Sequence, residues 1–228
     1  TRDAADAGSE WPARSHLTSL EAGGRGPGND SIQPLMNRVD EVRIGPAFDC
    51  ASDRHPAGAG VQPLRVTMPT PEQVRQLPEL VRVRVPQEWE DLNGHVNVKH
   101  HLTMYDLTSD PLLELLGISA DWVRTQRVGL FDLEHHIWFL NEVHVGEEVS
   151  LFLSFTARND KRVQGHVFLL NVTHDRLASV VEFVSAAADL DARRTVPLPA
   201  VIADSIDDLM ARQGALDWIA PLSGAISI

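Results

Sequence analysis

Apolar and polar residues alternate along several stretches of the chain in a way that predicts a β-rich domain. Val81, Val83 and Val85 alternate with arginines, which indicates a half-buried strand that Pro86 ends. Beyond residue 128, turn-forming residues separate four apolar stretches, and each stretch is expected to be a strand. These stretches are Gly129 to Leu140, Glu148 to Ala157, Arg162 to Thr173 and Ala178 to Leu190.

Between the first predicted strand and the second, the apolar residues take the spacing of a helix. Val96 to Leu107 is predicted to be a long helix, and Pro111 then interrupts the pattern before a short helix over Leu112 to Leu116. A last amphipathic helix is expected over Val201 to Gln213. The residues expected on the buried side of the long helix are Val98, Leu102, Met104 and Tyr105.

One strand, one long helix and then hairpin-linked strands predict an α+β fold, in which an antiparallel sheet wraps around a central helix. This is the hotdog arrangement, and we expect it over residues 76–197. Residues 1–75 are rich in glycine, alanine and proline, and are expected to be a largely disordered extension. Residues 198–228 would form a C-terminal helix and tail. Met68 is a candidate natural start, which leaves open whether residues 1–67 belong to the natural protein.

Charge and cysteine content narrow the classes of function. The net charge of -12 argues against a nucleic-acid or anionic-membrane partner, because both require a basic surface. No apolar run has the length of a transmembrane helix. The single cysteine, Cys50, excludes an internal disulfide and a Cys-Cys metal site, so the expected location is the cytoplasm.

The residues with the clearest chemistry lie in the loop before the long helix. Asp91 precedes Gly94, and the N–H groups at the start of a helix can stabilise an oxyanion. A carboxylate beside such donors can attack a thioester carbonyl, or activate water for the attack. Gly94 lets the backbone approach a ligand closely. The alternative is that Asp91 is a helix cap.

The run Asp-Leu-Asn-Gly-His-Val-Asn over residues 91–97 resembles the D-x-x-G-[HIV]-V motif of the 4-hydroxybenzoyl-CoA thioesterase-like hotdog superfamily. The stretch His136 to Val149 is similar to the family's aromatic strand, followed by E-V and G-E-x-V. Lys161-Arg162 and Glu182-Phe183 stand where the betainyl-CoA thioesterases, found fused to L-carnitine dehydrogenases, have K-R and A-E-x-M. The resemblance covers about residues 80–197. It implies that Asp91 is the catalytic residue. Gly94, His95 and Asn97 are the further candidate members of the site in this loop, where His95 is expected to brace the loop.

Two histidines are candidate substrate contacts. His101 stands where the family usually has tyrosine, and it either lines the pocket or faces solvent. His136 is expected to face the pocket from the sheet. The adjacent pairs His100-His101 and His135-His136 direct their side chains apart, so no metal site is predicted.

Charged residues supply the remaining candidates. Lys161-Arg162 and Arg193-Arg194 suit the phosphates of coenzyme A, although solvated turn charges would have the same sequence. Glu182 lies on a predicted core strand, where it either orients the loop or faces outward.

The function expected from these features is hydrolysis of an acyl-CoA thioester, with no cofactor. An exposed sheet edge predicts self-association as a dimer or tetramer. A non-catalytic acyl-binding module is the main alternative. An enoyl-CoA hydratase fits the sequence less well. The D-x-N-x-x-H pattern of hydratases is one residue longer than Asp91-x-Asn93-x-His95. The absence of a G-x-S-x-G motif argues against a serine hydrolase.

Overall fold

Residues 66–228 are described by the computed structural model, and most of them contribute to one antiparallel sheet. The strand order is β1-β3-β4-β5-β2, with β6 paired to β5. Predictions about residues 1–65 lie outside the described part of the chain. The strands are β1 (Glu79–Arg84), β2 (Val128–Phe139), β3 (Glu148–Arg158), β4 (Arg162–Asn171), β5 (Arg176–Asp189) and β6 (Arg194–Thr195).

Three α-helices separate β1 from β2, and the sheet is curled around the first of them, as the hotdog prediction requires. The helices are α1 (Pro71–Val74), α2 (Val98–Asp106), α3 (Ser109–Leu115), α4 (Ala120–Gln126) and α5 (Ala200–Gln213). The predicted strands β1 to β5 and the helix α2 agree with the structure to within two residues at each end. Pro111 does not interrupt a helix, because it lies in the first turn of α3, where its missing N–H costs nothing.

The buried face of α2 differs from the prediction. Val98 and Leu102 are 60% and 42% exposed, whereas Met104 is fully buried as expected. His101 occupies the core position one turn before, with only 7% of its surface exposed. Its Nδ1 lies 3.0 Å from the hydroxyl oxygen of Ser179 on β5. A polar residue can therefore face the sheet here, because a partner satisfies it.

The folded body extends past the predicted domain limits at both ends. Helix α1 precedes residue 76, and its Val74 is fully buried in a cluster on the outer face of the sheet. At the other end, Ile202, Ile206 and Leu209 of α5 join the main core. Residues 71–74 and 200–213 therefore belong to the same packed unit as the sheet.

Helix α5 also completes one edge of the sheet. Strand β1 pairs with β3 only as far as Phe152. Beyond that point, the Gln213 side chain forms hydrogen bonds with the backbone of β3. Its amide oxygen accepts a hydrogen bond from Phe155 N at 2.9 Å, and its amide nitrogen donates to Leu153 O at 3.3 Å. One side chain thus replaces a neighbouring strand for two backbone groups.

The opposite edge is β2, which pairs only with β5 among residues 66–228. It is a long strand with large apolar side chains in contact with solvent. Phe131, Leu133 and Phe139 are 44%, 46% and 54% exposed. A long apolar edge of this kind is a surface on which another strand can pair. None of the described helices has the length and apolar character needed to cross a membrane.

Candidate active site

The loop between β1 and α2 is closed by its own backbone hydrogen bonds. Asn97 N donates to Trp89 O at 2.9 Å, and Asp91 N donates to His95 O at 2.9 Å. Gly94 has a φ of 84°, a conformation that favours glycine. A Cβ at Gly94 would meet no atom within 4 Å, so the glycine is required by the turn rather than by close packing. The closed loop places Asp91 beside the start of α2.

The Asp91 carboxylate is held in an ionised, partly exposed state. Its Oδ1 accepts a hydrogen bond from Asn93 N at 2.7 Å, and its Oδ2 accepts one from Asn93 Nδ2 at 3.3 Å. The Nδ1 atom of His95 lies 3.6 Å from Oδ2. Partial desolvation acts to raise the pKa of Asp91, but the bonds from Asn93 and the charge of His95 outweigh it. The net effect lowers the pKa of Asp91, so the group is a carboxylate at neutral pH.

Asp91 does not cap α2, because Asn97 fills that position. The Asn97 side chain accepts a hydrogen bond from Lys99 N at 3.2 Å, and its carbonyl accepts one from His100 N at 2.9 Å. The N–H of Val98, the first residue of the helix, has no acceptor among the described residues. Val98 N–H is therefore the donor at this helix start that remains open to a ligand.

The predicted histidines divide between two faces of the sheet. His101 is buried against Ser179, and desolvation lowers its pKa to about 4. His136 does not approach Asp91 within one chain, which corrects the prediction. Its neighbour His135 contacts Tyr105 of α2, so alternation along the strand directs His136 to the outer face, where it meets Trp138. Within residues 66–228, no group of three metal-ligating side chains comes together.

Glu182 also lies on the outer face, away from the loop. It is fully buried, and it accepts hydrogen bonds from Gln164 Nε2 at 2.7 Å and Ser223 N at 2.9 Å. Its cross-strand neighbours are His136 and His166. The C-terminal segment covers this carboxylate, so a role in substrate contact is excluded within one chain.

The basic residues predicted to hold phosphates gather at one end of the sheet. Lys161 lies in the turn between β3 and β4, and Arg162 begins β4. Both are bonded or paired to β5, which also pairs with Arg194 of β6. The Asp91 loop adjoins the start of β3, where Val85 N donates to Glu147 O. The strand between these ends has 11 residues, so the two regions are on the order of 30 Å apart. A single chain cannot bring them to one ligand group.

A second polar cluster was not apparent in the sequence. Asp132 Oδ2 lies 3.0 Å from His135 Nε2, and Asp132 Oδ1 accepts from Ser185 Oγ at 2.5 Å. Tyr105 of α2 also bonds to Asp132, and its ring lies 4.8 Å from that of His135. Desolvation acts to raise the pKa of Asp132, but these three hydrogen bonds lower it overall. We refer to these four residues as the Asp132 cluster.

The spacing of Asp132 and His135 in the sequence does not predict this cluster. Residues three apart in a regular strand point to opposite faces, so Asp132 and His135 would not be expected to meet. A bulge between Asp132 and Glu134 shifts the register and puts both side chains on one face. No pattern in the sequence marks that bulge.

Known proteins similar to this chain are thioesterases by name. The L-carnitine dehydrogenase/betainyl-CoA thioesterase of Agrobacterium fabrum is 30% identical over 125 residues, which cover 55% of this chain and 25% of that protein. The betainyl-CoA thioesterase of Pseudomonas aeruginosa is 26% identical over 129 residues, covering 57% of this chain and 81% of the relative. The chain therefore spans about a quarter of the fused protein and most of the stand-alone one.

Structural similarity gives the same fold. A Staphylococcus aureus protein solved in complex with CoA superposes with a TM-score of 0.57 at 21% identity, covering 67% of this chain and 95% of that one. The model of the thioesterase-like superfamily matches residues 85–206, which include the Asp91 loop, strands β2 to β6 and the first half of α5. Because that match covers more than half of the sequence, this chain belongs to the thioesterase-like superfamily.

Proposed function

We propose that this protein hydrolyses an acyl-CoA thioester, with Asp91 as the catalytic carboxylate. The observation that carries the proposal is an ionised carboxylate in the loop that leads into α2, together with an open N–H at the start of that helix. The named activities of the relatives support the same reaction class.

The proposed mechanism uses two groups of the loop. Asp91 either attacks the thioester carbonyl or takes a proton from the water that attacks it. The carbonyl oxygen gains negative charge and accepts a hydrogen bond from Val98 N–H, with the dipole of α2 behind it. The C–S bond then breaks, which releases the free acid and coenzyme A. His95 and Asn97 act on the loop itself, through the contacts described above.

We propose betainyl-CoA as the first substrate to test, because the similar proteins are named for it. His101 is buried and bonded to Ser179, which leaves it poorly placed to select the acyl group. Coenzyme A is favoured over an acyl carrier protein, because the net charge of -12 would repel an acidic carrier.

We propose that the active form contains at least two copies paired through β2. An antiparallel pairing about a two-fold axis sets the N-terminal half of one β2 beside the C-terminal half of the other. The turn at Lys161 and Arg162 lies at the end of the sheet where β2 begins, and the Asp91 loop lies at the end where β2 finishes. Pairing therefore brings the basic end of one copy toward the catalytic loop of the other, where it can bind the phosphates of coenzyme A.

The test of the proposed function is a panel of acyl-CoA thioesters assayed for release of free thiol, with Asp91→Asn beside the parent protein. The amide keeps the size of the side chain and the bond from Asn93 N, but it can neither attack nor accept a proton. We expect thiol release to fall by about 10³-fold or more, with an unchanged far-UV spectrum. Asp110→Asn, an exposed carboxylate in α3, is the matched control and should retain parental activity. Parental activity in Asp91→Asn would overturn the assignment.

A further inference from the structure

The Asp132 cluster lies outside the loop that carries the proposed mechanism, yet it has the composition of a proton-transfer site. Asp132 is 40% exposed at its side chain and His135 is 24% exposed, so both can be reached by a ligand. Ser185 and Tyr105 hold the carboxylate in place from β5 and α2. The carboxylate–histidine pair is therefore braced by two hydroxyl groups.

The contact with Asp132 engages one of the two ring nitrogens of His135. Because Nε2 lies 3.0 Å from Asp132 Oδ2, the carboxylate orients the ring and favours a proton on that nitrogen. The other ring nitrogen, Nδ1, is then the atom that can exchange a proton with a ligand. The bulge in β2 creates this arrangement, and bulges are found frequently beside active sites.

Within one chain this pair is too far from the catalytic loop to act with it. Tyr105, which contacts His135, lies eight residues beyond Asn97 in α2, a rise of about 12 Å. His101, one turn before Tyr105 in α2, contacts Phe139, which comes after His135 in β2. Helix α2 therefore runs antiparallel to β2, and the cluster lies near the end of α2 that is farther from the loop. The distance between a cluster and a loop becomes shorter when the two belong to different copies of the chain.

A two-fold pairing of β2 strands reverses the second copy relative to the first. The start of α2 in one copy then neighbours the end of α2 in the other, where the Asp132 cluster lies. The exposed apolar residues Phe131, Leu133 and Phe139 on the same strand favour a second copy as the occupant of this edge. In the β2-paired dimer proposed above, the cluster of each copy therefore approaches the Asp91 loop of its partner.

We propose that His135 of the second copy is a catalytic residue of the Asp91 site, and that Asp132 is its positioning residue. This inference rests on the thioester hydrolysis proposed above. Water loses a proton to Asp91 as its oxygen bonds to the carbonyl carbon. The C–S bond breaks, and its electron pair takes the Nδ1 proton of a protonated His135, which forms the free thiol. The proton on Asp91 returns to His135 through solvent, so the cycle closes without another reactant.

Subunit mixing tests the placement in two copies. Asp91→Asn and His135→Ala are each expected to lose about 10²-fold or more in thiol release as homodimers. When they are mixed under exchanging conditions, half of the dimers contain one chain of each, and one of their two sites has both native residues. We expect about a quarter of the parental activity to return. If both variants are inactive and mixing restores nothing, the sharing of the site between copies is wrong.

A change of leaving group tests the role of His135. A thioester of an aromatic thiol needs no proton on its sulfur, so we expect the loss in His135→Ala to shrink at least tenfold on that substrate. A purely structural residue would show the same loss on both thioesters, which would overturn the catalytic role. Asp132→Asn should show the same pattern more weakly. If His135→Ala does not fold, His135→Gln replaces it.

His174→Ala is the matched control, because it removes a similar histidine–carboxylate contact, 2.8 Å from Glu147, away from β2. It should retain parental activity. Full activity in His135→Ala, or a monomer by light scattering in the active protein, would overturn the inference. Asp91→Asn tests the proposed function separately, so the two failures are distinguishable.

Discussion

The first residue of α2 offers a direct test of the proposed oxyanion donor, because proline can replace this residue without disturbing the helix. Proline lacks the N–H and is favoured as the first residue of a helix. The residue before it must be extended, and Asn97 already has φ -59° and ψ 140°. Val98 is 60% exposed, so loss of its side chain removes little buried surface. Val98→Pro therefore removes one hydrogen-bond donor and changes little else.

The expected loss follows from the role of that donor. Removing one donor from an oxyanion site typically lowers kcat by about 10²- to 10³-fold, or roughly 3 to 4 kcal/mol of transition-state stabilisation. KM should change little, because the bond strengthens only as charge develops on the oxygen. The free energy of unfolding should stay within about 0.5 kcal/mol of the parent, since the position is exposed.

The assay is thiol release from the most active acyl-CoA, measured for Val98→Pro and Val98→Ala in parallel. Val98→Ala keeps the N–H and removes the same side chain, so its kcat should stay near the parental value. A fall in kcat confined to the proline variant would identify the donor. Equal kcat values for the two variants would refute the reasoning, because the oxyanion would then be stabilised elsewhere.

Two further predictions concern stability. Gln213→Ala leaves Phe155 N and Leu153 O unpaired at the β3 edge, so we expect denaturant unfolding to show a loss of about 2 to 3 kcal/mol; an unchanged midpoint would contradict that role for the side chain. His166 is fully buried, and desolvation lowers its pKa to about 4, below the ordinary value of 6.5. As pH falls, His166 therefore binds a proton at a higher pH in the unfolded chain than in the folded one. The free energy of unfolding should drop by about 3 kcal/mol between pH 6.5 and pH 4. His166→Phe should flatten this dependence in denaturant titrations at several pH values, and an unaltered slope would assign it to other groups.

The strands and the Asp91 loop were predictable because their determinants are local. Alternation of apolar residues sets the strands, and turn residues separate them. The loop is closed by bonds between residues 89 and 97, with Gly94 at its positive φ, so a short motif is sufficient to recognise it. Only the hydrogen bonds in the structure decided that Asn97, and not Asp91, caps the helix.

The faces of the sheet were not predictable from the pattern. Strands β3, β4 and β5 are buried on both sides, so apolar residues occupy both faces. The alternation of residues therefore does not indicate which face points toward α2. The pattern therefore left the face of Glu182 undecided, and it gave His136 the face opposite to the one that it occupies. His101 entered the core because Ser179, 78 residues later, offers it a hydroxyl.

By itself, the sequence determined the order of the elements and the Asp91 loop, because contacts between residues close in the chain define both. Only the tertiary structure decided which side chains meet across the sheet. Asp132 and His135 come together through a bulge in β2, and Lys161 lies at the far end of the sheet from Asp91. Both results depend on strand register, which arises from pairings between distant residues.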